Sequence, residues 1–506
     1  MLAKVMSGAT IGLDSIPITV EVDIAAQGLP SFTIVGLPDK AVEESKERVR
    51  AALKNAGADF PTKRITVNLA PADIPKEGPS FDLPMALGIL IASGQLSVAP
   101  ADSLFIGELS LDGTLRSTNA VLSIAMLVKE KKLKNFFVPA INAKEAAIVD
   151  GIKVIPVESV TSLFHHLSGN KVIKAVPKSE INLNQSENNG VDMKEVKGQE
   201  TAKRALEIAA AGGHNVLLKG PPGAGKTLLA RAFSGILPRL TFNEALEVTK
   251  IYSILGQINS EEPIVKTRPF RSPHHSASAI GLIGGGTHPK PGEISLSHRG
   301  VLFLDEFPEF PRMVLESLRG PLEDGVVTVS RAVGSISFPA KFTLIAAANP
   351  CPCGFLGEPT KECVCVPGEI TRYNKRLSGP ILDRIDLHID VPAVKIEKLT
   401  SEQEAEPSER IRSRVQKARE KQTERLKGTK LANNSEMSAK EIKEFCKLDQ
   451  DCLNLLRAAV SKMQLSARAY HRVLKVARTI ADLESSEEIK PQHIAESLQY
   501  RAKSEN

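Results

Sequence analysis

GPPGAGKT, residues 220–227, is the stretch that decides the fold of this 506-residue chain. The apolar run NVLLK precedes it and the helical pattern LLARAFSGIL follows it, so we expect a strand, a glycine-rich turn and a helix in that order. Glycines in such a turn let backbone N–H groups close around phosphates at the helix N-terminus. Lys226 supplies a positive charge to the β- and γ-phosphates, and the Thr227 hydroxyl is placed for Mg²⁺. The stretch therefore predicts a nucleoside triphosphate site in a parallel-sheet α/β domain.

Two later strands are expected to bring polar groups to the same site. The apolar run Val301 to Leu304 ends in Asp305 and Glu306, and FTLIAAAN ends in Asn349. In a P-loop ATPase the aspartate holds Mg²⁺ and the glutamate polarises the attacking water, while a terminal amide suits a residue that orients water. The residues predicted to bind ATP and Mg²⁺ are Gly220, Pro221, Pro222, Gly223, Ala224, Gly225, Lys226, Thr227, Leu228 and Asp305.

The chain divides into regions of different character, which indicates about three domains. Residues 1–172 alternate short apolar strands with helical stretches, which predicts a mixed α/β domain, and 173–191 form a polar linker rich in Asn and Ser. Residues 192–395 have the pattern of a parallel-sheet α/β core, 396–437 that of a charged linker or helix, and 438–506 that of a helical C-terminal lid.

Charge and hydropathy restrict the class of protein. The formal net charge of +6 permits nucleic-acid partners without requiring them, so any argument for such a partner must be local. No apolar run reaches 18 residues, and MLAKVMSGATIGLDS at the N-terminus does not match a signal peptide. We therefore expect a cytoplasmic protein without a membrane partner.

Four cysteines lie within fifteen positions, as the pairs Cys351-Pro-Cys353 and Cys363-Val-Cys365. In a cytoplasmic protein such a group indicates a tetrahedral Zn²⁺ site rather than disulfides. Four thiolates leave no open coordination position, so the role expected is structural. Because C-x-C is tighter than the commoner C-x₂-C spacing, unligated thiols and another metal or redox role remain alternatives.

Several segments carry a resemblance to a known family. They are GPPGAGKT, RPFRSPHHSASAIGLIGGGTHPKPGEISLSHRGVLFLDE, FPAKFTLIAAANPCPCG, RLSGPILDRIDLHI and LSARAYHRVLKVARTIADL. The chain resembles the AAA+ ATPases, and more closely the magnesium-chelatase-like branch known as the YifB or ComM family, from the N-terminus to nearly the end. The resemblance implies an AAA+ core with a helix-2 insert and a hairpin before the first sensor, a helical lid, and an active ring, a homo-hexamer.

The same resemblance assigns roles to single residues. Asn349 resembles the first sensor, Arg384 in ILDRID the arginine finger that reaches a neighbouring subunit's nucleotide, and Arg468 the second sensor. An ion pair with a nearby aspartate is the alternative for Arg384, and Arg472, four residues beyond Arg468, stays an alternative second sensor. The catalytic residues implied are Glu306, Asn349, Arg384 and Arg468.

Three stretches are candidates for contact with DNA. The resemblance places His274 and His275 in the insert, toward the centre of the ring, although a local structural or metal role is the alternative. Residues 326–338 alternate as in a hairpin, with Arg331 near its turn, where it either grips a phosphate backbone or is simply solvated. Residues 410–430 hold nine Lys and Arg against two Glu, which fits either phosphate binding or a solvated charged helix.

The N-terminal region resembles the Lon-type protease fold, on IPKEGPSFD and IGELSLDG. Ser80 matches the nucleophile of that fold, and spacing from Gly113 places the lysine base of the fold at Ile124. Lys129 lies more than a helical turn further along. The resemblance therefore implies a Lon-protease-like domain that lacks the catalytic lysine and serves another purpose, such as assembly or contact with DNA.

The function implied by the resemblance is an ATP-driven ring motor on single-stranded and branched DNA. In this family such a motor is a helicase that promotes branch migration during homologous recombination of incoming DNA in natural transformation, with recombination proteins as possible partners. A metal-insertion ATPase resembling the magnesium-chelatase motor subunit, and a nucleotide-switched loading or remodelling module, are the alternatives. The Lon-like N-terminal domain and the four cysteines argue against the metal-insertion ATPase. The presence of Glu306 and Arg384 argues against the nucleotide-switched module, which would not need them.

Overall fold

The chain forms two compact units of mixed α/β structure. The computed structural model describes residues 2–97, 99–179, 183, 190–286, 289–331, 334–359, 361–377, 379–394, 405–429 and 431–501. The first unit comprises Met1–Asn182 and Phe242–Val265, and the second comprises Leu183–Thr241 and Lys266–Asn506. The α/β class, with parallel strands and a helical C-terminal region, is as the sequence predicts. Parts of the predicted linker regions 173–191 and 396–437 lie outside the described residues.

The first unit is built on a four-stranded sheet and a three-stranded parallel sheet. The first has the order Leu2–Ile11, Asp14–Ile24, Arg64–Ala70, Ser31–Val35, and the second has the order Ser103–Phe105, Asn135–Pro139, Lys153–Val157. Glu108–Leu109 and Leu115–Arg116 form a short antiparallel pair. The helices are Lys40–Asn55, Asp82–Ala92, Val121–Glu130, Ala143–Ala146, Val160–Leu167 and Phe242–Ile254.

The core of this unit follows from the alternation of its strands. In Asp14–Ile24 every second side chain from Ile18 onward is buried, as expected for a strand with one face on the core. The helix Asp82–Ala92 is buried over its whole length and packs on the first two strands. Gly88 makes this approach possible, because a Cβ there would lie 2.5 Å from Cγ2 of Val22.

A segment from the middle of the sequence completes the first unit. The expected core, 192–395, is interrupted because the segment Phe242–Val265, which we call the excursion, groups with residues 1–182. Its helix Phe242–Ile254 packs on Val121–Glu130, and Ala120 donates its N–H to the carbonyl of Ser253 at 2.9 Å. The sequence pattern of a helix does not say which sheet it will cover, so this placement was not predictable.

Glu145 is a buried polar residue that binds the helix of the excursion through Ser253. Its carboxylate accepts the hydroxyl of Ser253 at 2.5 Å and the backbone N–H of Leu122, at the start of the helix Val121–Glu130, at 3.1 Å. The residue is 5% exposed, and this burial raises the pKa of Glu145 although both hydrogen bonds act to lower it.

The second unit contains the five-stranded parallel sheet that the sequence predicts. The strand order is Phe270–Arg271, Val301–Leu304, Thr343–Ala348, Val216–Lys219, Leu387–Asp390. The three central strands are almost entirely buried, which explains their continuous apolar sequence. Because all five run in parallel, their carboxyl ends meet at one edge, where ligands bind in open α/β sheets.

Helices and a hairpin surround this sheet. The longer helices of the core are Glu200–Gly212, Lys226–Ile236, Pro367–Asn374 and Ser408–Arg425, and the short ones are Ala279–Ile283, Glu293–Leu296, Arg312–Ser317, Arg319–Asp324 and Gly379–Leu382. Val326–Arg331 pairs with Gly334–Pro339 in the predicted hairpin, and Gly284–Gly285 pairs with Lys290–Pro291. The lid consists of Ala439–Phe445, Gln450–Met463, Ala467–Leu483 and Pro491–Gln499.

Within the part of the chain that the structure covers, every helix is too short or too polar to cross a membrane.

Replacing Glu145 is expected to loosen the first unit. Glu145→Ala leaves the Ser253 hydroxyl and the Leu122 N–H without their acceptor, so the local free energy of unfolding should fall by about 1–3 kcal/mol. Hydrogen exchange of peptides from Val121–Glu130 in the full chain measures this value.

Glu145→Gln, which keeps an acceptor, serves as the control. The folded chain holds the Glu145 proton to higher pH than the unfolded chain, so the wild type loses stability as pH rises above the ordinary value of 4.5. The glutamine variant should therefore gain stability relative to the wild type as the pH rises above this ordinary value. An alanine variant with wild-type protection would contradict the role of Glu145 as an anchor.

Candidate functional site

The glycine-rich stretch forms a loop between a central strand and a helix. Val216–Lys219 ends at the loop, and the helix Lys226–Ile236 begins directly after it. Gly223 and Gly225 have φ values of 78° and 87°, in the left-handed region that glycine adopts without strain. At Gly220 a Cβ would meet the carbonyl oxygen of Val391 at 2.0 Å, so this position also requires glycine. The loop thus has the backbone needed to surround phosphates.

Lys226 lies at the centre of this loop. The residue is 8% exposed, and its ammonium donates to the carbonyls of Gly220 and Pro221 at 2.7 and 2.9 Å and to Oδ1 of Asn349 at 3.0 Å. Burial lowers the pKa of Lys226, and the Asp305 carboxylate acts in the opposite direction. The structure therefore brings together the lysine and the amide that the sequence predicts for one site.

Thr227 and Asp305 meet beside Lys226. The Thr227 hydroxyl donates to Oδ2 of Asp305 at 2.8 Å, and Oδ1 accepts the N–H of Glu306 at 2.9 Å. A hydroxyl and a carboxylate next to a phosphate-binding loop are the hard oxygen ligands that Mg²⁺ takes together with substrate phosphates. The donor set therefore fits the metal that the sequence predicts here.

Glu306 has an uncommon backbone conformation directly after Asp305. Its φ of 50° lies in the left-handed region, which costs a non-glycine residue about 1–3 kcal/mol and is typical of functional positions. Its carboxylate faces His275, with Nδ1 and Oε2 3.0 Å apart. The sequence predicts both residues as functional, but nothing in the spacing indicates that they are paired.

Two predicted arginines meet at a carboxylate that the sequence analysis missed. Glu323 lies at the end of the helix Arg319–Asp324, and its carboxylate accepts a hydrogen bond from the guanidinium of Arg384. A carboxylate oxygen of Glu323 also lies 3.5 Å from a guanidinium nitrogen of Arg468. Arg384 is 8% exposed and also donates to the carbonyl of Pro380 at 2.7 Å. The hydrogen bond from Arg384 lowers the pKa of Glu323. The predicted residues thus form two groups, one around Lys226 and one around Glu323.

Arg472, the alternative second sensor, has a different partner. Its guanidinium lies 2.5 Å from Asp386, a carboxylate that also accepts the N–H of Asn215 at 3.1 Å. Burial acts to raise the pKa of Asp386, but Arg472 and His214 outweigh it and hold this pKa well below the usual range. Arg472 is thereby engaged inside the protein, whereas the side chain of Arg468 is 61% exposed.

The four cysteines converge on one point after the strand Thr343–Ala348. Their sulfur atoms all lie within 4.8 Å of one another, and no disulfide joins them. The Sγ atom of Cys351 lies 3.4 Å from Cys353 and 3.6 Å from Cys363, close to the spacing of about 3.8 Å in a tetrahedron with Zn–S bonds of about 2.3 Å.

The thiols of the cluster differ in pKa. Backbone N–H groups act to lower the pKa of Cys363 and of Cys365, but burial and the neighbouring thiols outweigh them and raise both, that of Cys365 to about 12. The backbone N–H of Phe355 lowers the pKa of the Cys353 thiol to about 6. The N–H of Cys353 donates in turn to Sγ of Cys365 at 3.3 Å. Ligands from two close pairs, supported by backbone N–H groups, have the arrangement of a closed structural site.

The candidate DNA contacts are a pair of adjacent histidines and an arginine at the end of a hairpin strand. His274 is exposed, and its Nδ1 bonds the Ser276 hydroxyl at 2.8 Å, while its ring lies 4.0 Å from that of His275. Arg331 ends the first strand of the hairpin, and its side chain lies outside the described residues.

Part of the basic stretch 410–430 is used within the second unit. Arg414 bonds Glu207 at 2.6 Å, Arg419 donates to a backbone carbonyl at 3.0 Å, and Arg425 pairs with Asp482. These three cations therefore have partners within the second unit, whereas Arg410 and Lys417 of the helix Ser408–Arg425 are exposed and Arg412 and Lys421 are half-buried. The alternatives of phosphate binding and a solvated helix both remain for them.

The Lon-like region has isoleucine at the position predicted for the lysine base. Ser80 lies in a short 3-10 turn, and Ile124, where spacing places the lysine, is 2% exposed and packs near Gly8. A buried isoleucine at this position does not activate a hydroxyl.

Three family models match successive parts of the chain. The family described as Magnesium chelatase, subunit ChlI, matches residues 192–399. The families described as Subunit ChlI of Mg-chelatase and as Magnesium chelatase, subunit ChlI C-terminal, match residues 20–142 and 405–501.

Two relatives match this chain over nearly its full length, and a third matches part of it. Competence protein ComM of Haemophilus influenzae is 46% identical over 99% of this chain and 97% of that protein. The protein YifB of Escherichia coli is 43% identical over 99% of this chain and 97% of that protein. Lon protease 2 of Bacillus subtilis is 29% identical over 28% of this chain and 26% of that protein. These matches agree with the Lon-like and AAA+ architecture.

Proposed function

This chain belongs to the magnesium-chelatase-like family of ComM and YifB, and from this membership we propose that it is an ATP-driven ring motor acting on DNA. The family implies an AAA+ ATPase that uses ATP and Mg²⁺. The observation that carries the proposal is the convergence of Lys226, Thr227, Asp305 and Asn349 at the carboxyl edge of one parallel sheet.

ATP hydrolysis follows from the chemistry of these groups. Lys226 would hold the β- and γ-phosphates, and Thr227 with Asp305 would hold Mg²⁺, which would neutralise charge on the phosphate oxygens. Glu306 orients and polarises the attacking water, and Asn349 positions it near the γ-phosphate. Lys226 is already positioned by three hydrogen bonds, which exchange for phosphate oxygens on binding.

The proposed ring assigns roles to the second group of residues. Arg384 and Arg468 share the Glu323 carboxylate, apart from the cluster around Lys226. We assign Arg384 to the nucleotide of the neighbouring subunit in a homo-hexamer and Arg468 to the second sensor. An arginine supplied by a neighbour makes hydrolysis depend on assembly, as a ring motor requires.

DNA is the polymer on which we propose the motor works. The relative from Haemophilus influenzae is named a competence protein, and we extend this to branch migration during homologous recombination of incoming DNA. Single-stranded and branched DNA are the proposed substrates, with recombination proteins as possible partners. His274, His275 and Arg331 are the proposed contacts, and with few aromatics in the chain they would track the backbone rather than stack on bases.

We also propose a structural Zn²⁺ at Cys351, Cys353, Cys363 and Cys365. The metal when bound would fix the loop that directly follows Asn349. Free thiols in such a cluster suit the reducing cytoplasm, where we place the protein.

Two variants should separate nucleotide binding from hydrolysis. Saturating ATP with Mg²⁺ should stabilise the wild type, by about 2.7 kcal/mol at a hundredfold excess over Kd. Lys226→Ala is expected to lose both this stabilisation and turnover, because it removes the charge from the phosphate loop. Arg384→Ala should keep the stabilisation and lose turnover. Thermal unfolding with and without ATP, and phosphate release, measure the two effects.

Mixing Lys226→Ala with Arg384→Ala tests the assignment of Arg384 to the nucleotide of a neighbouring subunit. A mixed ring pairs an intact phosphate loop with an intact Arg384 from a neighbour, so part of the turnover should return. Arg457→Ala, an exposed arginine of the lid, should behave as the wild type. Normal hydrolysis by Arg384→Ala alone would show that the interface assignment is wrong.

DNA should stimulate turnover, and ATP should drive strand displacement. The ATPase rate is measured at about physiological salt with no DNA, linear duplex, single strand and a three-strand junction, followed by displacement from that junction. We expect stimulation by single-stranded and branched DNA, and displacement that Lys226→Ala abolishes. Absence of any DNA effect in both assays would overturn the motor proposal in favour of a metal-insertion or remodelling ATPase.

Metal analysis should find about one zinc per chain. Cys353→Ser and Cys363→Ser are each expected to lower this content strongly, since three thiolates hold the ion less tightly. Cys446→Ala, which removes a buried thiol of the lid core, should retain the metal. Wild-type protein that stays free of zinc after refolding with the metal would contradict the proposed site.

A further inference from the structure

The segment that carries the four cysteines, which we call the cysteine loop, packs against the phosphate loop. It begins after Asn349 and ends at the helix Pro367–Asn374. Gly354, which follows Cys353, is buried, and a Cβ there would lie 2.6 Å from Cδ and 3.1 Å from Cγ of Pro222. The same Cβ would lie 3.8 Å from Cγ of Asn349. The backbone of Gly354 therefore lies directly on a residue of GPPGAGKT.

The turn at Gly354 belongs to the cysteine cluster itself. Its φ of 86° lies in the left-handed region, and its N–H donates to the carbonyl of Cys351 at 3.0 Å. Cys351 is 0% exposed, and its Sγ lies 3.4 Å from that of Cys353. The position of the first cysteine pair thus determines where the backbone meets Pro222.

The far end of the cysteine loop returns to Asn349. Tyr373, in the helix Pro367–Asn374 that follows the second cysteine pair, is 6% exposed, and burial raises its pKa to about 12. The backbone N–H of Asn349 bonds the Tyr373 phenol and acts in the opposite direction. Oδ1 of Asn349 in turn accepts the Lys226 ammonium at 3.0 Å. Both ends of the cysteine loop therefore contact groups that position the phosphate loop.

We propose that the cysteine loop braces the phosphate loop, with Gly354 as a positioning residue, so that a metal at the four thiols and ATP bind cooperatively. A phosphate loop binds through backbone N–H groups, and their directions depend on the position of the loop. Thiolates that share a metal would fix the turn at Gly354 and, through Pro222, favour the phosphate-binding form. By linkage, ATP must strengthen metal binding by the factor by which the metal strengthens ATP binding. The inference rests on the proposed nucleotide and metal sites and adds the coupling between them.

Two glycines of the cysteine loop provide a matched pair of variants. Gly357 has a φ of 79°, close to that of Gly354, but it is exposed, and among the described residues nothing lies within 4 Å of a Cβ there. Alanine carries similar backbone strain at either position, whereas Gly354→Ala must also displace Pro222. Gly354→Ala should raise the Kd for a non-hydrolysable ATP analogue with Mg²⁺ about tenfold, and Gly357→Ala should leave it unchanged. Calorimetric titration of the full chain measures both.

Shortening Pro222 should relieve the displacement. Pro222→Ala removes the Cγ and Cδ atoms that the new Cβ would meet. The double variant should therefore bind the analogue more tightly than the sum of the two single effects predicts. A general loss of stability in Gly354→Ala would not be reversed in this way. Zinc content, measured in each variant, checks that the cluster is intact.

Metal removal tests the coupling without a substitution. Wild-type chain stripped of zinc should bind the analogue about tenfold more weakly, and added Zn²⁺ should restore the Kd. Saturating analogue should lower the Kd for Zn²⁺, measured by competition with a chelating dye, by the same factor. In Gly354→Ala both factors should fall toward one, because the contact that carries the coupling is displaced.

The outcomes separate this inference from the proposed function. Equal affinity of Gly354→Ala and Gly357→Ala for the analogue, or a metal-free wild type that binds it as tightly as the zinc-bound one, would overturn the brace while the nucleotide site stands. A wild type that binds no analogue would refute the nucleotide site and the brace together. If Gly354→Ala does not fold, the reciprocal changes in zinc and analogue affinity of the wild type decide.

Discussion

The buried ammonium of Lys226 is the interaction on which the second unit depends. It joins the carbonyls of the phosphate loop to Asn349, at the end of the neighbouring strand, and so fixes the distance between two segments that meet at the sheet edge. A charge with so little exposure requires such partners, because an unpaired buried ammonium is costly. The loop glycines, the parallel strand order and the contact between Thr227 and Asp305 position polar groups at this same edge of the sheet.

Several catalytic groups are bound to partners within the same chain. Glu306 is held by His275, and Arg384 with Arg468 by Glu323. For the proposed hydrolysis, each of these partners must be replaced before the residue can act on the nucleotide.

The excursion connects the two units through the covalent chain. The chain leaves the second unit after Thr241, packs a helix on Val121–Glu130, and returns at Lys266 before the strand Phe270–Arg271. Ser253 and the buried Glu145 hold the helix in place. The Lon-like domain thereby receives a segment from the part of the sequence that follows the phosphate loop.

The sequence by itself determined the features that depend on local pattern. GPPGAGKT required a loop with left-handed glycines before a helix, and apolar strands ending in Asp305 and Asn349 required a shared sheet edge, since the carboxyl ends of parallel strands meet there. The pairing of Arg384 with Glu323, 61 positions apart, and of Glu306 with His275 was decided only by the tertiary structure. A hydrogen bond depends on distance and direction in space, and neither is encoded in the spacing of residues that are distant in the sequence.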